Sequence, residues 1–585
     1  MRFAKVAETM ERLERTSKQT EMIDLLSELF KEATDENIAH VCYYLLGQIA
    51  AGYKDLTLGV GEKTIQQAIA LASAKDVDKV EDRTVALGDL GDVAEEMVKQ
   101  DENPYSEFFE AEGELTVEDV GRALKMIATA SGSGSQETKT KTLAALFAEA
   151  DDLERRYLGR LAAGTMRLGV GDMTVLDGLA VAFLGSKDKR DPLERAYNMC
   201  SDVGHVAEVL VRSGLDGVKR IRIAMNRPLR PMLAQRVSKL SQIKEKIASE
   251  EIAAEEKYDG QRIQAHKNGD DVKLFSRRLE DITYQYPDIA ENVRKHVEAE
   301  KAILDGEAVA YNFEEDTYYP FQKLMHRRRK YKVEEYAQEV PVKYMVFDLL
   351  YLVGSSYLAQ PYPERREAVE DVVKDRKYIA SAGRVVSASL DEIEDFFQDC
   401  LARNLEGIIC KSCAEDATYE AGAREWAWIK WKPSYATKLH DTFDLVVVGA
   451  YAGQGSRAGM YGSLLCGAYN EEKDVFQTVC KLGSGFSDEE LQNLPDKFED
   501  LRVDKQPARV QATDDVEPDH WFAPQIVAEV LASEITQSPV HTCAQEQLGK
   551  GLALRFPRFQ RWRSEKAADQ ATHTSEVRQM YESST

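Results

Sequence analysis

The sequence predicts a multidomain α+β protein with an all-α N-terminal region, a mixed α/β centre and a small C-terminal β-barrel. Three observations carry that prediction. Residues 1 to about 215 set apolar side chains at helical spacing, as in MIDLLSELFKEA and TKTLAALFAEADDLERRYL, with few prolines. From 234 to 435, helical stretches alternate with strand-like runs such as YMVFDLLYL and EGIICKS. From 436 onward, FDLVVVGAYAG, GSLLCGAY and FQTVCKLGSGF succeed one another across Gly-containing turns. A chain of 585 residues, 43% of them hydrophobic, has room for about three or four domains of roughly 100–200 residues each.

The helical region repeats itself. LLGQIAAG at 45–52 matches YLGRLAAG at 157–164, and LGVGEKT at 58–64 matches LGVGDMT at 168–174. Two copies about 110 residues apart imply two similar helical halves. Each LGVG precedes a helical segment, where glycines let backbone N–H groups approach a phosphate at a helix N-terminus. A symmetric pair of such grips suits a protein that tracks a DNA backbone without reading bases. The bland alternative is two glycines that close helix turns.

Residues 216–233 read as a linker: RIRIAMNRPLRPMLAQ carries two prolines and four arginines. Residues 436–585 have the length and turn pattern of a barrel such as an OB-fold, with a polar tail of about twenty residues that is helical or frayed.

The net charge of −25 argues weakly against nucleic-acid binding, since phosphate contacts need Lys and Arg. Local basic stretches at 323–332 and 555–563 offset it. Eight cysteines are scattered, and only Cys410 and Cys413 lie close, with no second pair to complete a zinc site. The N-terminus has no apolar signal core, and no run of 18 apolar residues suggests a membrane span. We read a cytoplasmic protein that keeps its thiols reduced.

Candidate chemistry concentrates between 255 and 432. In EEKYDGQR, the residues Glu255, Lys257, Asp259 and Arg262 read as one strand with charges along one face. A lysine becomes a nucleophile where burial and nearby cations lower its pKa, but this run alone reads equally well as a surface ion pair. The charged residues downstream decide between the two. SRRLED at 276–281 supplies Arg277, LDGEAVAY at 304–311 supplies Glu307, and YMVFDLLYL at 344–352 supplies Phe347 and Asp348. EGIICKS at 406–412 adds Glu406 and Lys411, and REWAWIKWK at 424–432 adds Arg424, Lys430 and Lys432. Charges planted in apolar strands are costly unless they meet partners or a ligand. Together the cations make a pocket sized for a phosphate chain. Glu307 and Glu406 are oxygen ligands suited to Mg²⁺ or a ribose, and Phe347 offers a face to a base.

The ordered set EKYDGQR, SRR, DGEAVAY, VFDLL, EGIICKS and WIKWK resembles the covalent nucleotidyltransferase superfamily. It is most similar to the ATP-dependent DNA ligases of archaea and eukaryotes, and RFPRF at 555–559 matches their last motif. The resemblance spans nearly the whole chain and implies that 1–215 binds DNA, 234–435 is an adenylation domain and 436–585 is an OB domain. It implies that Lys257 takes AMP from ATP, passes it to the 5′-phosphate of a nick in duplex DNA, and leaves the 3′-hydroxyl to close the strand, in replication, repair and recombination. Glu255 would hydrogen-bond the adenine and Phe347 would stack on it. Arg262 and Glu307 would hold the ribose, with Glu307 and Glu406 near Mg²⁺. Arg277, Arg424 and Lys430 would contact phosphate, with Lys432 nearby. Arg555 and Arg558 would approach the leaving pyrophosphate when a domain hinged near 433–442 swings in. The expected partner is nicked double-stranded DNA, for a monomer that needs no membrane. ENPYSEFF at 102–109 looks like a degenerate sliding-clamp peptide, with Tyr105, Phe108 and Phe109 as anchors. The alternatives are an RNA ligase or capping-type nucleotidyltransferase, and an inactive DNA-binding scaffold.

Overall fold

The computed structural model describes the chain except for residues 100–102, 238, 320, 328–332, 375–376, 404, 433–441, 454–459, 533 and 585. It divides into two compact units: Met1–Val80 with Leu90–Tyr435, and Ala436–Thr585 with Glu81–Asp89. Among the described residues no helix is long and apolar enough to cross a membrane, and all eight cysteines are free thiols.

The first unit opens with helices from Phe3–Glu14 through Val203–Lys219. The two repeats fold alike only in their LGVG halves. LLGQIAAG lies almost wholly beyond helix Ile38–Leu45, whereas the matching YLGRLAA lies inside helix Asp152–Ala163, which Gly164 ends at φ +70°. Gly59 and Gly169 are also left-handed, at φ +59° and +66°. Helices Glu62–Ser73 and Asp172–Leu184 then start directly after the extended residues Gly61 and Gly171. Neither glycine supplies a side-chain cap, and a Cβ at either would meet nothing within 4 Å.

The stretch read as a linker from 216 begins inside helix Val203–Lys219 and then runs as a strap fastened on both sides. Asn226 N–H donates to His266 Nδ1 at 3.2 Å, Leu229 N–H to Gln264 Oε1 at 2.8 Å and Met232 N–H to the Tyr419 hydroxyl at 3.0 Å. Arg227, Arg230 and Leu233 donate to the carbonyls of Ala224, Asn198 and Ala423. Pro228 and Pro231 have no N–H to satisfy.

Beyond the strap, two sheets share the chain. Their strands are β1 (Leu233–Arg236), β2 (Ile252–Lys257), β3 (Gln261–Asn268), β4 (Asp271–Ser276), β5 (Lys301–Asn312), β6 (Thr317–Tyr318), β7 (Val342–Leu352), β8 (Ser355–Ser356), β9 (Ile379–Ser381), β10 (Arg384–Ser387), β11 (Gly407–Ser412) and β12 (Arg424–Trp431). One sheet has the order β1-β12-β11-β2-β10; the other runs β4-β3-β5-β7-β8, with β6 on β5 and β9 on β7. Helices Pro287–His296 and Tyr362–Val372 cover the second sheet through Ile289, Val293 and Val369, all essentially inaccessible. Helix Leu390–Ala402 packs Ile393 and Phe397 on the first.

The second unit is β-rich. Its strands are β13 (Thr442–Ala452), β14 (Tyr461–Asn470), β15 (Val475–Leu482), β16 (Arg502–Val503), β17 (Val510–Gln511), β18 (His520–Phe522), β19 (Val527–Leu531), β20 (Glu534–Ser538), β21 (Gly551–Arg555) and β22 (Arg558–Trp562). The main sheet runs β16-β18-β13-β14-β15-β17, with β19 joining β13 to β22. Phe443, Leu464, Val479, Phe522 and Phe559 fill its core, closed on one side by Leu494 and Phe498 of helix Asp488–Phe498. The polar tail forms helix Thr574–Ser584.

Candidate active site

The run EEKYDGQR is two strands, not one. β2 ends at Lys257, Tyr258–Gly260 turn, and Arg262 lies on β3 in the other sheet. Lys257 therefore stands where the chain crosses between sheets. The crossing is tight: a Cβ on Gly260 would come within 2.3 Å of the Ala308 carbonyl oxygen. On the other side of Lys257, Gly407 takes φ +139° and a Cβ there would lie 2.2 Å from the Trp431 carbonyl oxygen. Gly407 pairs with Lys257 in register, and Glu406 N–H donates to the Lys257 carbonyl at 2.9 Å. That pairing sets Glu406 beside the lysine, and its carboxylate meets both Lys257 and Lys432.

A cavity of about 340 Å³ opens here, lined by Lys257, Arg277, Arg424, Lys430 and Lys432 together with Glu307, Glu406 and Phe347. All the expected nucleotide-binding residues border it, including Glu255 and Arg262. The concentration of positive charge acts on Lys430. Burial, and then Arg424, Lys257 and Arg277, hold its ammonium below the usual lysine range. Glu307 sits opposite Arg262 in the β3–β5 register. Withdrawal from water pushes its carboxyl up to about 7, with Lys257 and Arg262 opposing and Asp305 and Asp259 adding to the rise. Among the described residues no cluster of three or more His, Cys, Asp or Glu forms a metal cage. Mg²⁺ ordinarily takes one or two carboxylates and completes its shell with phosphate oxygens and water, so Glu307 and Glu406 fit that ion without a cage.

Several of these side chains are already engaged. The Glu255 carboxylate is 2% exposed and accepts from Tyr362 Oη at 2.6 Å, Arg366 Nη1 at 2.9 Å and Lys411 Nζ at 2.7 Å. With Lys411 it joins the cavity lining to Tyr362 and Arg366. Arg262 gives its fork to Asp305 at 3.0 and 2.6 Å and to the Met232 carbonyl at 2.8 Å, while its guanidinium lies 5.3 Å from the Phe347 ring centre. Asp348 is fully buried and bound to Arg365 at 2.7 Å. Burial raises its carboxyl, but Arg365 and Lys411 outweigh that and keep it below the ordinary range. Asp305, Tyr419 and Trp428 escaped the sequence reading. Asp305 stands in plain view before Gly306, but its partnership with Arg262 depends on the β3–β5 pairing. The Tyr362–Val372 helix, with Arg365 and Arg366, reads in sequence as an ordinary charged surface helix.

The remaining expectations divide. Arg327 of the 323–332 stretch is 2% exposed and paired with Asp288, so it is an internal strut and not a docking cation; residues 328–332 lie outside those described. In the second unit Arg555 and Arg558 are exposed around Phe556, whereas Arg563 pairs with Asp444 and Glu529. Glu102 of the clamp-like peptide and residues 433–441 of the expected hinge lie outside the described residues. Tyr105 and Phe108 are half-buried, and Phe109 is 4% exposed with Arg122 above its ring.

Three family models match the chain in order: DNA ligase N terminus over residues 2–180, ATP dependent DNA ligase domain over 231–432, and ATP dependent DNA ligase C terminal region over 457–566. "DNA ligase 2" of Thermofilum pendens is 45% identical, covering 99% of this chain and 97% of its own length. "DNA ligase" of Staphylothermus marinus is 42% identical over 99% of this chain and 98% of its own. "DNA ligase 1" of Methanosarcina acetivorans is 41% identical over the full length of both. A solved structure named Pmar-Lig_Pre. has a TM-score of 0.54 at 16% identity, covering 95% of this chain and 99% of that one, and shows the fold alone.

Proposed function

The chain belongs to the ATP-dependent DNA ligases, and from that premise we propose that Lys257 is the nucleophile with which it seals nicks in duplex DNA. The observation that carries the reading is the 340 Å³ cavity that gathers Lys257 with Arg277, Arg424, Lys430 and Lys432. Phosphoryl transfer asks a protein mainly for positioning and neutralisation of charge. Lys257 meets the Glu406 carboxylate, and a lysine must be neutral to attack. Its Nζ then bonds to the α-phosphorus of ATP as the bond to pyrophosphate breaks. The 5′-phosphate of the nick next attacks that phosphorus and frees the lysine. Finally the 3′-hydroxyl attacks the 5′-phosphorus, and AMP leaves. Phe347 supports the base, and Glu307, beside Arg262, supports the ribose. We assign Glu307 and Glu406 to Mg²⁺, which when bound supplies further neutralisation of phosphate charge.

We further propose that residues 1–215 grip DNA through the two glycine-started helices, 234–435 carry the adenylation chemistry and 436–585 form the OB domain. The protein works on the chromosome inside the cell as a monomer. A sliding clamp would dock through Tyr105 and Phe108, with Phe109 as the buried root of the loop. The RNA-ligase and capping alternatives are not favoured, because the match to the DNA ligase N terminus covers the helical region. The test is to incubate the protein with α-labelled ATP and Mg²⁺, then chase with nicked DNA. Label that stays off the wild type, or equal label on Lys257→Ala, rejects the nucleophile. Transfer to RNA ends but not to nicked DNA rejects the substrate.

A further inference from the structure

The arginines of the strap have no part in the nucleotide cavity. One of them, Arg230, borders a second, smaller one of about 140 Å³, where the first repeat, the start of helix Val203–Lys219, the strap and the turn after β4 converge. Arg277 and Arg278 are consecutive, yet Arg277 lines the nucleotide cavity and Arg278 lines this one. Leu279, at φ +69°, completes the turn that separates them.

The wall is built to attract an anion. Arg278 is exposed and, among the described residues, forms no ion pair. Arg230 reaches in from the strap, donates to the Tyr197 hydroxyl at 2.6 Å and lies 3.6 Å from Asp172. Among the described residues, Asp172 is the only acid in the lining. Ser201, 8% exposed, lines the same cavity with a hydroxyl that has no hydrogen-bond partner. The volume suits a tetrahedral oxyanion, being below the roughly 300 Å³ of a small-molecule pocket, and the cavity shares Gln48, Gly52 and Arg278 with a wider cleft of about 1080 Å³.

We propose that this cavity seats a backbone phosphate of the nicked strand, with Arg278 and Arg230 as positioning residues for DNA adenylation and closure but not for lysine adenylation. The inference rests on the reading of the chain as a nick-sealing ligase with the reacting phosphate beside Arg277. Adjacent Cα atoms are ~3.8 Å apart and a strand advances ~3.4 Å per nucleotide. Two arginines that reach to opposite sides of one turn therefore hold phosphates that are near neighbours along the strand.

The test uses the full-length protein, already adenylated, and nicked duplexes in which one phosphate at a time is replaced by a neutral methylphosphonate. Transfer of AMP to DNA is timed in a single turnover for the wild type, Arg278→Gln and Arg278→Lys. A charge-assisted hydrogen bond corresponds to roughly 10-fold or more in rate. One linkage near the nick should slow the wild type by about that factor and leave Arg278→Gln, itself slowed by a similar factor, unaffected; Arg278→Lys should recover part of the loss. Lysine adenylation by both variants, which also reports their folding, should stay within about 2-fold of wild type. The proposal is overturned if Arg278→Gln transfers AMP at the wild-type rate, or if it is slowed yet remains as sensitive as wild type at every linkage. A wild type that takes up no AMP, or never passes it to unmodified nicked DNA, would instead reject the underlying reading.

Discussion

Lys257 and Glu406 form the pair on which the proposed chemistry turns. The carboxylate touches both Lys257 and Lys432, so it holds two cations that would otherwise repel one another, and the proposed mechanism uses it at the lysine or at Mg²⁺. Glu406→Gln keeps the shape and removes the charge. Lysine adenylation is expected to fall by roughly 10²–10³ with little change in thermal stability, read as the single-turnover rate of label uptake beside a melting curve; an unchanged rate would remove Glu406 from the mechanism. The sequence made Lys257 legible through the company it keeps, since each motif placed one charge in an apolar strand. It did not make legible which charges face the ligand. Nor did it show that Glu255, on the cavity wall, and Asp348 are held in ion pairs, because Arg366, Lys411 and Arg365 arrive from about 15 to 160 residues away.

Among the elements, the helix starts are the most exacting. Asp151 and Glu154 form a reciprocal cap at helix Asp152–Ala163, each side chain accepting the other's N–H at 2.8 Å. Glu154 is only 4% exposed. Burial, reinforced by Asp151 and opposed by the Asp151 N–H and by Arg155, pushes its carboxyl from 4.5 up to about 7. A raised acid pKa contributes stability that is full below the unfolded value and is lost as pH rises through the folded one. Between pH 4.5 and about 7 the wild type should therefore lose up to about 3 kcal/mol relative to Glu154→Gln. Denaturant midpoints of both proteins across that window check this, and parallel curves would refute it. The glycine-started helices allow a cleaner separation. Gly171 is extended with open space at its Cβ position, and Asp is a better N-cap than Gly by only a few tenths of a kcal/mol. Gly171→Asp should thus leave the melting temperature unchanged or slightly higher. It should also weaken binding to nicked duplex by roughly 10-fold through the added negative charge, measured by fluorescence anisotropy. The repeat was readable because glycine spacing is a local property. The strand break inside EEKYDGQR was not, because it depends on Ala308 lying across the turn at Gly260.

At the scale of the molecule, a protein of net charge −25 must bind a polyanion through localised cations, and each phosphate it neutralises steepens its salt dependence. Replacing one phosphate-seating arginine should reduce the slope of log affinity against log salt by about 1. Chelation should stop lysine adenylation while leaving the melting curve in place, since no metal cage helps to fold the described chain; loss of the fold on chelation would contradict that. The all-helical, mixed and β-rich thirds were legible because hydrophobic period distinguishes them over long windows. The character of the connection between the first two was not. Prolines and arginines read as slack, and the bonds that remove the slack come from His266, Gln264 and Tyr419, none of them near in sequence.

That strap has a consequence for how the chain tolerates change in length. Between Asn226 and Leu233 every backbone donor is spoken for, by partners drawn from the helical region, the strap itself and the sheets with their connections. The segment is a ruler. Its residue count fixes how far the helix that begins at Asp172, held by Arg230, stands from the Met232 carbonyl that holds Arg262. Surface loops elsewhere can absorb an extra residue at small cost. Here one inserted residue would shift every later mark by a step and put the proposed DNA grip and the cavity at Lys257 out of gauge.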